Sequence, residues 1–252
     1  MPVLQRISLT LILVAILGGC SSLPEGIDHP AEPYTSYGPS TLSVLADEYQ
    51  PVSEQATTAV RLQESGWDAL AQRLALVESA EHTIDIQYYI WNSDESGRYL
   101  ASRLLAAADR GVKVRVMLDD INLNEREGLL SALDAHPNVE IRIFNPTPTR
   151  RGFSKWLSFL GDFSRLNRRM HNKSFTVDGI FSVVGGRNIG DEYFDLSDEI
   201  NFRDRDVLVM GSVVTTIQTS FTEYWDSRWS YPVDMLGDEE QPDLSKIDDI
   251  TV

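Results

Sequence analysis

Apolar residues recur along this chain with several distinct periods, and the changes of period mark its elements. Residues 64–80 place Trp67, Leu70, Leu74 and Val77 at helical spacing. Thr83 to Trp91 (TIDIQYYIW) is rich in β-branched and aromatic residues and nearly continuous, as a strand buried on both faces would be. Arg98 to Arg110 reads as a helix with Leu100, Leu104 and Leu105 inward and Gly111 at its C-terminal end. Val112 to Leu118 alternates as a strand, Asn124 to Ala135 is a helix closed by Pro137, and Val139 to Phe144 is a strand. Strand, helix, strand, helix, strand in this order predicts parallel strands with helices on the faces, an α/β sandwich. Three further strands (Lys173 to Val177, Ile180 to Val184, Asp206 to Met210) and a long helix from Val213 to about Trp229 follow.

Outside residues 57–232 the pattern changes. Residues 1–19 hold one charge, Arg6, then the apolar run Ile7 to Leu17, then Gly18-Gly19-Cys20-Ser21-Ser22. The run is shorter than the ~20 residues of a membrane span and has the layout of a secretory signal. Small residues directly before cysteine also resemble a bacterial lipoprotein signal, which implies a mature chain anchored through lipid on Cys20. By the same resemblance, Ser21 favours the outer membrane of a Gram-negative envelope, facing the periplasm. Residues 20–56 are rich in Pro, Ser, Tyr and acids without a sustained period, and are expected to be a flexible tether. Residues 233–252, with seven acids and one lysine, are expected to be a solvated acidic tail.

Composition narrows the function. Hydrophobic residues at 42% are enough for a core, so global disorder is excluded. Twenty-two Lys and Arg against 38 Asp and Glu give a net charge of −16, which argues against a general nucleic-acid coat. Cys20 is the only cysteine, so intrachain disulfides and Cys-rich metal sites are excluded. The acidity is uneven: residues 146–175 hold seven cations (Arg150, Arg151, Lys155, Arg165, Arg168, Arg169, Lys173) and one acid, Asp162. Trp156, Leu157, Phe159, Leu160, Phe163 and Leu166 lie among these charges. Such a stretch suits anionic headgroups, or is a solvated helix face.

The chemistry concentrates in residues 171–188, HNKSFTVDGIFSVVGGRN. His171 and Lys173 are two apart, hence on one face of a strand. Asp178 and Gly179 form a tight turn, and the returning strand ends at Gly185-Gly186, where backbone can approach a ligand and Asn188 can join the same pocket. A nucleophile or base, a cation and an amide donor suit a phosphate diester: histidine attacks phosphorus while lysine and asparagine hold the non-bridging oxygens.

The spacing His-x-Lys, four residues, Asp, six residues, Gly-Gly-x-Asn resembles the HKD motif of the phospholipase D superfamily. Ile84-Asp85-Ile86-Gln87-Tyr88-Tyr89-Ile90-Trp91, Leu118-Asp119-Asp120, Asn167-Arg168-Arg169-Met170-His171 and Gly185-Gly186-Arg187-Asn188-Ile189-Gly190-Asp191-Glu192 extend the resemblance to the N-terminal half of a cardiolipin-synthase-type member. It implies an α/β/α sandwich with a mixed, mostly parallel sheet. His171, Lys173 and Asp178 would be the catalytic set, with Lys173, Asn188, Gly185 and Gly186 at the phosphate. Asp204 or Asp206 would orient the imidazole, with Asp204 preferred. The implied reaction passes through a phosphohistidine and needs no metal or cofactor. It acts on a glycerophospholipid. Family members of this type carry two such motifs, with the site between them. His29, His82 and His136 are followed two residues later by Ala31, Ile84 and Asn138, so this sequence holds one motif. A second would have to come from another chain or a two-fold copy. Two rivals are a homodimeric single-motif endonuclease, disfavoured by the acidic balance, and an inactive, incomplete lipoprotein.

Overall fold

The computed structural model describes residues 38–49, 57–120, 127–147 and 168–236. Cys20, the signal, most of the tether, the basic residues 148–167 and most of the acidic tail lie outside the described residues. All but two of those described fall in one compact unit, residues 28–146 and 169–252; the other unit, 1–27 and 147–168, is otherwise outside them.

The compact unit is an eight-stranded mixed sheet between helices. The strands are β1 (Thr58–Gln63), β2 (Thr83–Tyr88), β3 (Lys113–Asp119), β4 (Val139–Phe144), β5 (Ser174–Val177), β6 (Phe181–Gly185), β7 (Asp206–Gly211) and β8 (Ser230–Pro232), in the spatial order β1-β7-β6-β5-β2-β3-β4-β8. The helices are α1 (Thr41–Glu48), α2 (Gly66–Ser79), α3 (Glu95–Asp109), α4 (Glu127–Asp134) and α5 (Ser212–Trp225). The sandwich and the mixed sheet agree with expectation, but the balance of directions does not. Only β2–β3 and β3–β4 pair in parallel; the other pairings are antiparallel. The reason is connection length. Helices α3 and α4 supply the long crossovers that parallel pairing needs, whereas Asp178-Gly179-Ile180 is a tight turn and can only reverse the chain. Asp178 and Gly179 both take positive φ there (51° and 66°).

Strand alternation follows from unequal layers. Ile84, Ile86, Val114, Val116, Ile141, Phe175 and Val177 face the main core with Leu70, Val77, Leu100, Leu104, Leu130 and Leu133 of α2, α3 and α4. The other face meets α5 through a smaller cluster of Met117, Phe144, Met170, Phe221 and Trp225. Between these, Asp85 takes a two-pronged ion pair from Arg115 (2.8 and 2.9 Å), whose guanidinium lies 5.0 Å from the Phe221 ring. The Arg142 guanidinium lies 4.2 Å from the Trp225 ring. β2 is thus covered on both faces, yet it alternates, because its second face is a paired polar layer.

Helix ends follow local chemistry. Ser65 caps α2 by accepting from Asp68 N–H (3.0 Å), Asp94 caps α3 by accepting from Gly97 N–H (3.1 Å), and Gly111 after α3 takes φ 96°. Two elements depart from the sequence pattern. The stretch expected as a tether contains α1, whose Ser40 and Ser43 form a reciprocal cap and whose Leu42 is buried. The last helix stops at Trp225, freeing Ser230–Pro232 to pair as an edge strand with β4.

Candidate active site

The motif residues gather at one end of the sheet: the carboxyl ends of β2, β3 and β6 and the amino ends of β5 and β7. β5 lies between β2 and β6 but begins only at Ser174. Beyond that point its two neighbours close on each other. Ile189 N–H donates to Ile90 C=O (3.2 Å), Asn92 N–H donates to Ile189 C=O (2.8 Å), and Trp91 bridges Ile189. His171 and Lys173 therefore sit on the lead-in to β5, at the mouth of this closure.

His171 is exposed, whereas Lys173 and Asn188 are buried (8% and 5% exposed). Lys173 Nζ donates to the His171 carbonyl (2.9 Å) and lies 3.4 Å from both imidazole nitrogens. Burial pushes the Lys173 ammonium below its ordinary pKa, while Asp204 and Asp206 pull in the opposite direction. Asn188 Oδ1 accepts from Ile90 N–H (3.1 Å), which leaves its amide nitrogen as the end able to donate to a ligand. The Tyr89 ring, one residue earlier, lies 4.8 Å from the imidazole and 5.6 Å from Lys173 Nζ. Tyr89 and Ile90 thus join the histidine–lysine side of the site to the asparagine side. The chemistry available is an accessible imidazole, a sheltered cation and an amide donor on neighbouring strand ends, a set suited to an anion.

Several expected roles change. Asp178 is not part of this constellation. It lies past the far end of β5, about 13 Å along the strand at 3.3 Å per residue. Its carboxylate accepts from the N–H groups of Glu81, His82 and Thr83 (3.1, 2.8 and 2.9 Å), so it holds the turn to the start of β2. The space a Cβ would take at the paired glycines is filled by the chain's own backbone and carboxylates. A Cβ on Gly185 would sit 2.1 Å from Asp206 Oδ1 and 2.5 Å from the Arg205 carbonyl, and one on Gly186 would sit 2.8 Å from Asp204 Oδ1. Gly186 N–H already donates to Arg205 C=O (3.0 Å).

Asp206 is also committed elsewhere. It is buried, its Oδ2 pairs with Arg73 (2.8 Å) and Arg187 (3.6 Å), and its Oδ1 accepts from Arg187 N–H (3.2 Å). Asp204 is half-buried and acts on Lys173 through space. Among the described residues no carboxylate hydrogen-bonds to His171; its ring is met by Tyr89 and Lys173. Asp191 and Glu192 take structural roles, accepting from Ser96 N–H and Asn92 Nδ2 (both 2.8 Å).

Two neighbours carry no signal in the motif itself. Tyr89 directly follows β2, and Arg169 lies two residues before His171. Arg169 Nη1 donates to the buried Asp119 Oδ1 (3.2 Å), and Asp119 Oδ2 accepts from Met170 N–H (2.8 Å). The end of β3 therefore fixes the backbone that presents the histidine.

A sandwich with a His-x-Lys pair and an asparagine gathered at its strand ends defines a phospholipase-D-like domain. Residues 74–225 match the family model described as cardiolipin synthase, PLD-like domain, and the chain belongs to that family. It is 50% identical over 182 residues to cardiolipin synthase C of Escherichia coli (strain K12), covering 72% of this chain and 38% of that protein. An uncharacterized protein of Helicobacter pylori (strain ATCC 700392 / 26695) is 38% identical over 233 residues, covering 92% of this chain and 46% of that one. The chain thus spans less than half the length of these relatives. Among solved structures, NucT from Helicobacter pylori superposes with a TM-score of 0.53 at 16% identity, covering 69% of this chain and 99% of that one. Phosphatidylserine synthase from Haemophilus influenzae Rd KW20 gives 0.55 at 14% identity, covering 76% and 42%. Both likenesses speak for the fold.

Proposed function

We propose that this chain supplies one half of a phospholipase-D-type active site that transfers or hydrolyses a phosphatidyl group of a glycerophospholipid. The observation that carries the reading is the exposed His171 beside the sheltered Lys173 and Asn188. His171 attacks phosphorus, the bond to the leaving alcohol breaks, and a phosphohistidine forms. Lys173 and the Asn188 amide hold the non-bridging oxygens as charge builds. The leaving alcohol needs a proton, and an acceptor alcohol or water must then lose one. A second His-x-Lys motif, from a two-fold copy or another chain, supplies that acid–base partner. General acid catalysis is worth about 10²–10⁴ in rate, so the isolated half is expected to be slow. Cardiolipin synthase C, at 50% identity, supports a phosphatidyl acceptor over water. The lipoprotein-like signal supports anchoring through Cys20 to the outer membrane, facing the periplasm.

The test is phosphatidylglycerol turnover by the full chain, alone and mixed with a domain carrying the second motif, followed by lipid mass spectrometry. Turnover should rise on mixing, survive EDTA and vanish in His171→Ala. Unchanged turnover in His171→Ala, in a preparation free of other lipid enzymes, refutes the mechanism. Membrane retention of Cys20→Ser, after signal removal, refutes the anchor.

A further inference from the structure

Beside the imidazole stands a second cation that the one-phosphate reading does not use. The Arg169 side chain is 19% exposed and rests on the fully buried Asp119 side chain. A guanidinium carries five N–H donors, and among the described residues Asp119 is its only hydrogen-bond partner, through Nη1. Asp119 already accepts Met170 N–H with its other oxygen, so the backbone before His171 is held without help from the arginine. The carboxylate fixes the aim of the guanidinium and leaves donors over, the arrangement with which arginine takes a phosphate.

The position is bounded by the backbone. Arg169 and His171 are two residues apart, at most about 7 Å between Cα atoms. Tyr88 pairs with Leu118 across β2 and β3, so Tyr89 runs beside Asp119, and the Tyr89 ring touches the imidazole. Burial and Asp119 push the Tyr89 phenol up while Arg169 pulls it down, as expected if the three side chains stand together. Across the strand ends the order is therefore Asn188, Lys173 and His171, Tyr89, Arg169: two cationic positions separated by one aromatic ring.

We propose that Arg169 forms a second phosphate subsite next to His171, and that the site takes ligands carrying two phosphates joined by a short polyol. This rests on His171 and Lys173 binding the first phosphate. In transfer chemistry the second phosphate belongs to the acceptor lipid: its free hydroxyl lies one three-carbon bridge from its own phosphodiester. Arg169 grips that phosphodiester, Tyr89 lines the space the bridge crosses, and the hydroxyl is presented at the phosphorus on His171. Water has no such handle, so the subsite favours transfer over hydrolysis.

The experiment compares glycerol phosphate with glycerol bisphosphate as ligands of the full chain by calorimetry. The native chain should bind the bisphosphate about tenfold more tightly. Arg169→Gln should remove that advantage and leave the glycerol phosphate affinity unchanged. Arg169→Lys, which keeps the pair with Asp119 but not the planar fork, should retain part of it. Thermal melts identify any variant that fails to fold; if Arg169→Gln does, Arg169→Lys alone must still bind the bisphosphate less tightly than the native chain. Equal binding of the two ligands by the native chain, or a full advantage in the substituted chains, overturns the subsite while leaving the first phosphate site standing. Failure of either ligand to bind overturns both.

Discussion

Arg73→Met should unfold this domain far more readily than the native chain. Arg73 is buried (1% exposed) and donates from Nη2 to Asp206 Oδ2 at 2.8 Å, from Nε to Tyr88 Oη at 2.9 Å and from Nη1 to the Ala69 carbonyl at 2.8 Å. Methionine fills most of the volume and makes none of these bonds. Asp206, whose side chain is wholly buried, then keeps Arg187, 3.6 Å away, as its remaining ion-pair partner among the described residues. Breaking a buried pair while its anion remains costs about 3–5 kcal/mol. With a urea slope of ~2 kcal/mol/M, the midpoint should fall by roughly 2 M. Adding Asp206→Asn removes the stranded charge. The double variant should therefore be more stable than Arg73→Met alone, by about 1–2 kcal/mol. Equilibrium urea unfolding followed by circular dichroism reads both quantities. A midpoint shift below about 0.5 M, or a double variant whose losses simply add, refutes the view that Arg73 and Asp206 act as one coupled buried pair.

Three further outcomes are expected. Asp178→Ala leaves three N–H groups at the start of β2 without their acceptor and should lower stability by ~2–4 kcal/mol, yet orthophosphate affinity of the folded protein should not change; a loss of binding at full folding would return Asp178 to the site. The Asp134 carboxyl is pushed up to about 6, chiefly by burial and further by Asp234 and Glu140, so the folded state holds its proton more tightly than the unfolded one. Native stability relative to Asp134→Asn should then fall as pH rises from about 4 through about 6, by up to ~3 kcal/mol, and a flat difference in melts across that window would disprove it. Burial holds Lys173 below the ordinary lysine range, and only its ammonium form attracts an anion. Phosphate affinity, titrated from about pH 8 upward where the ligand is already dianionic, should decline before the usual lysine midpoint near ~10.4, and Lys173→Arg should abolish that decline.

Much of the fold is legible because burial leaves a periodic trace. The helix around Leu70, Leu74 and Val77 and the strands around Ile84, Val114 and Ile141 all face one apolar core, and each shows its period in the sequence. β1 leaves a poor trace because Val60 and Leu62 are exposed on an edge strand. β8 has three residues, too few for any period. Strand direction is not legible where it depends on the Asp178–Gly179 turn rather than on apolar spacing. In the site, the His171, Lys173 and Asn188 convergence is carried by fixed spacing and so can be read directly. Partner identity cannot: nothing in the residue order distinguishes Asp206, committed to two arginines, from Asp204, and nothing marks Tyr89 as the ring against the imidazole. Those assignments depend on contacts of Asp206 with Arg73 and Arg187 and of Tyr89 with His171, most of them remote in sequence and made only on folding.

The excursion between β4 and β5 leaves and re-enters the sheet at fixed posts. Asn145, at φ 51°, donates its N–H to the Trp229 carbonyl (2.7 Å) on one side, and Met170 N–H is held by Asp119 (2.8 Å) on the other. With both ends clamped, the length of chain between them is decoupled from the register of β5, and a closed loop loses only about (3/2)RT ln n in entropy as it grows. The register that presents His171 is thus set by Asp119 and Met170 N–H, whatever sequence joins the two posts.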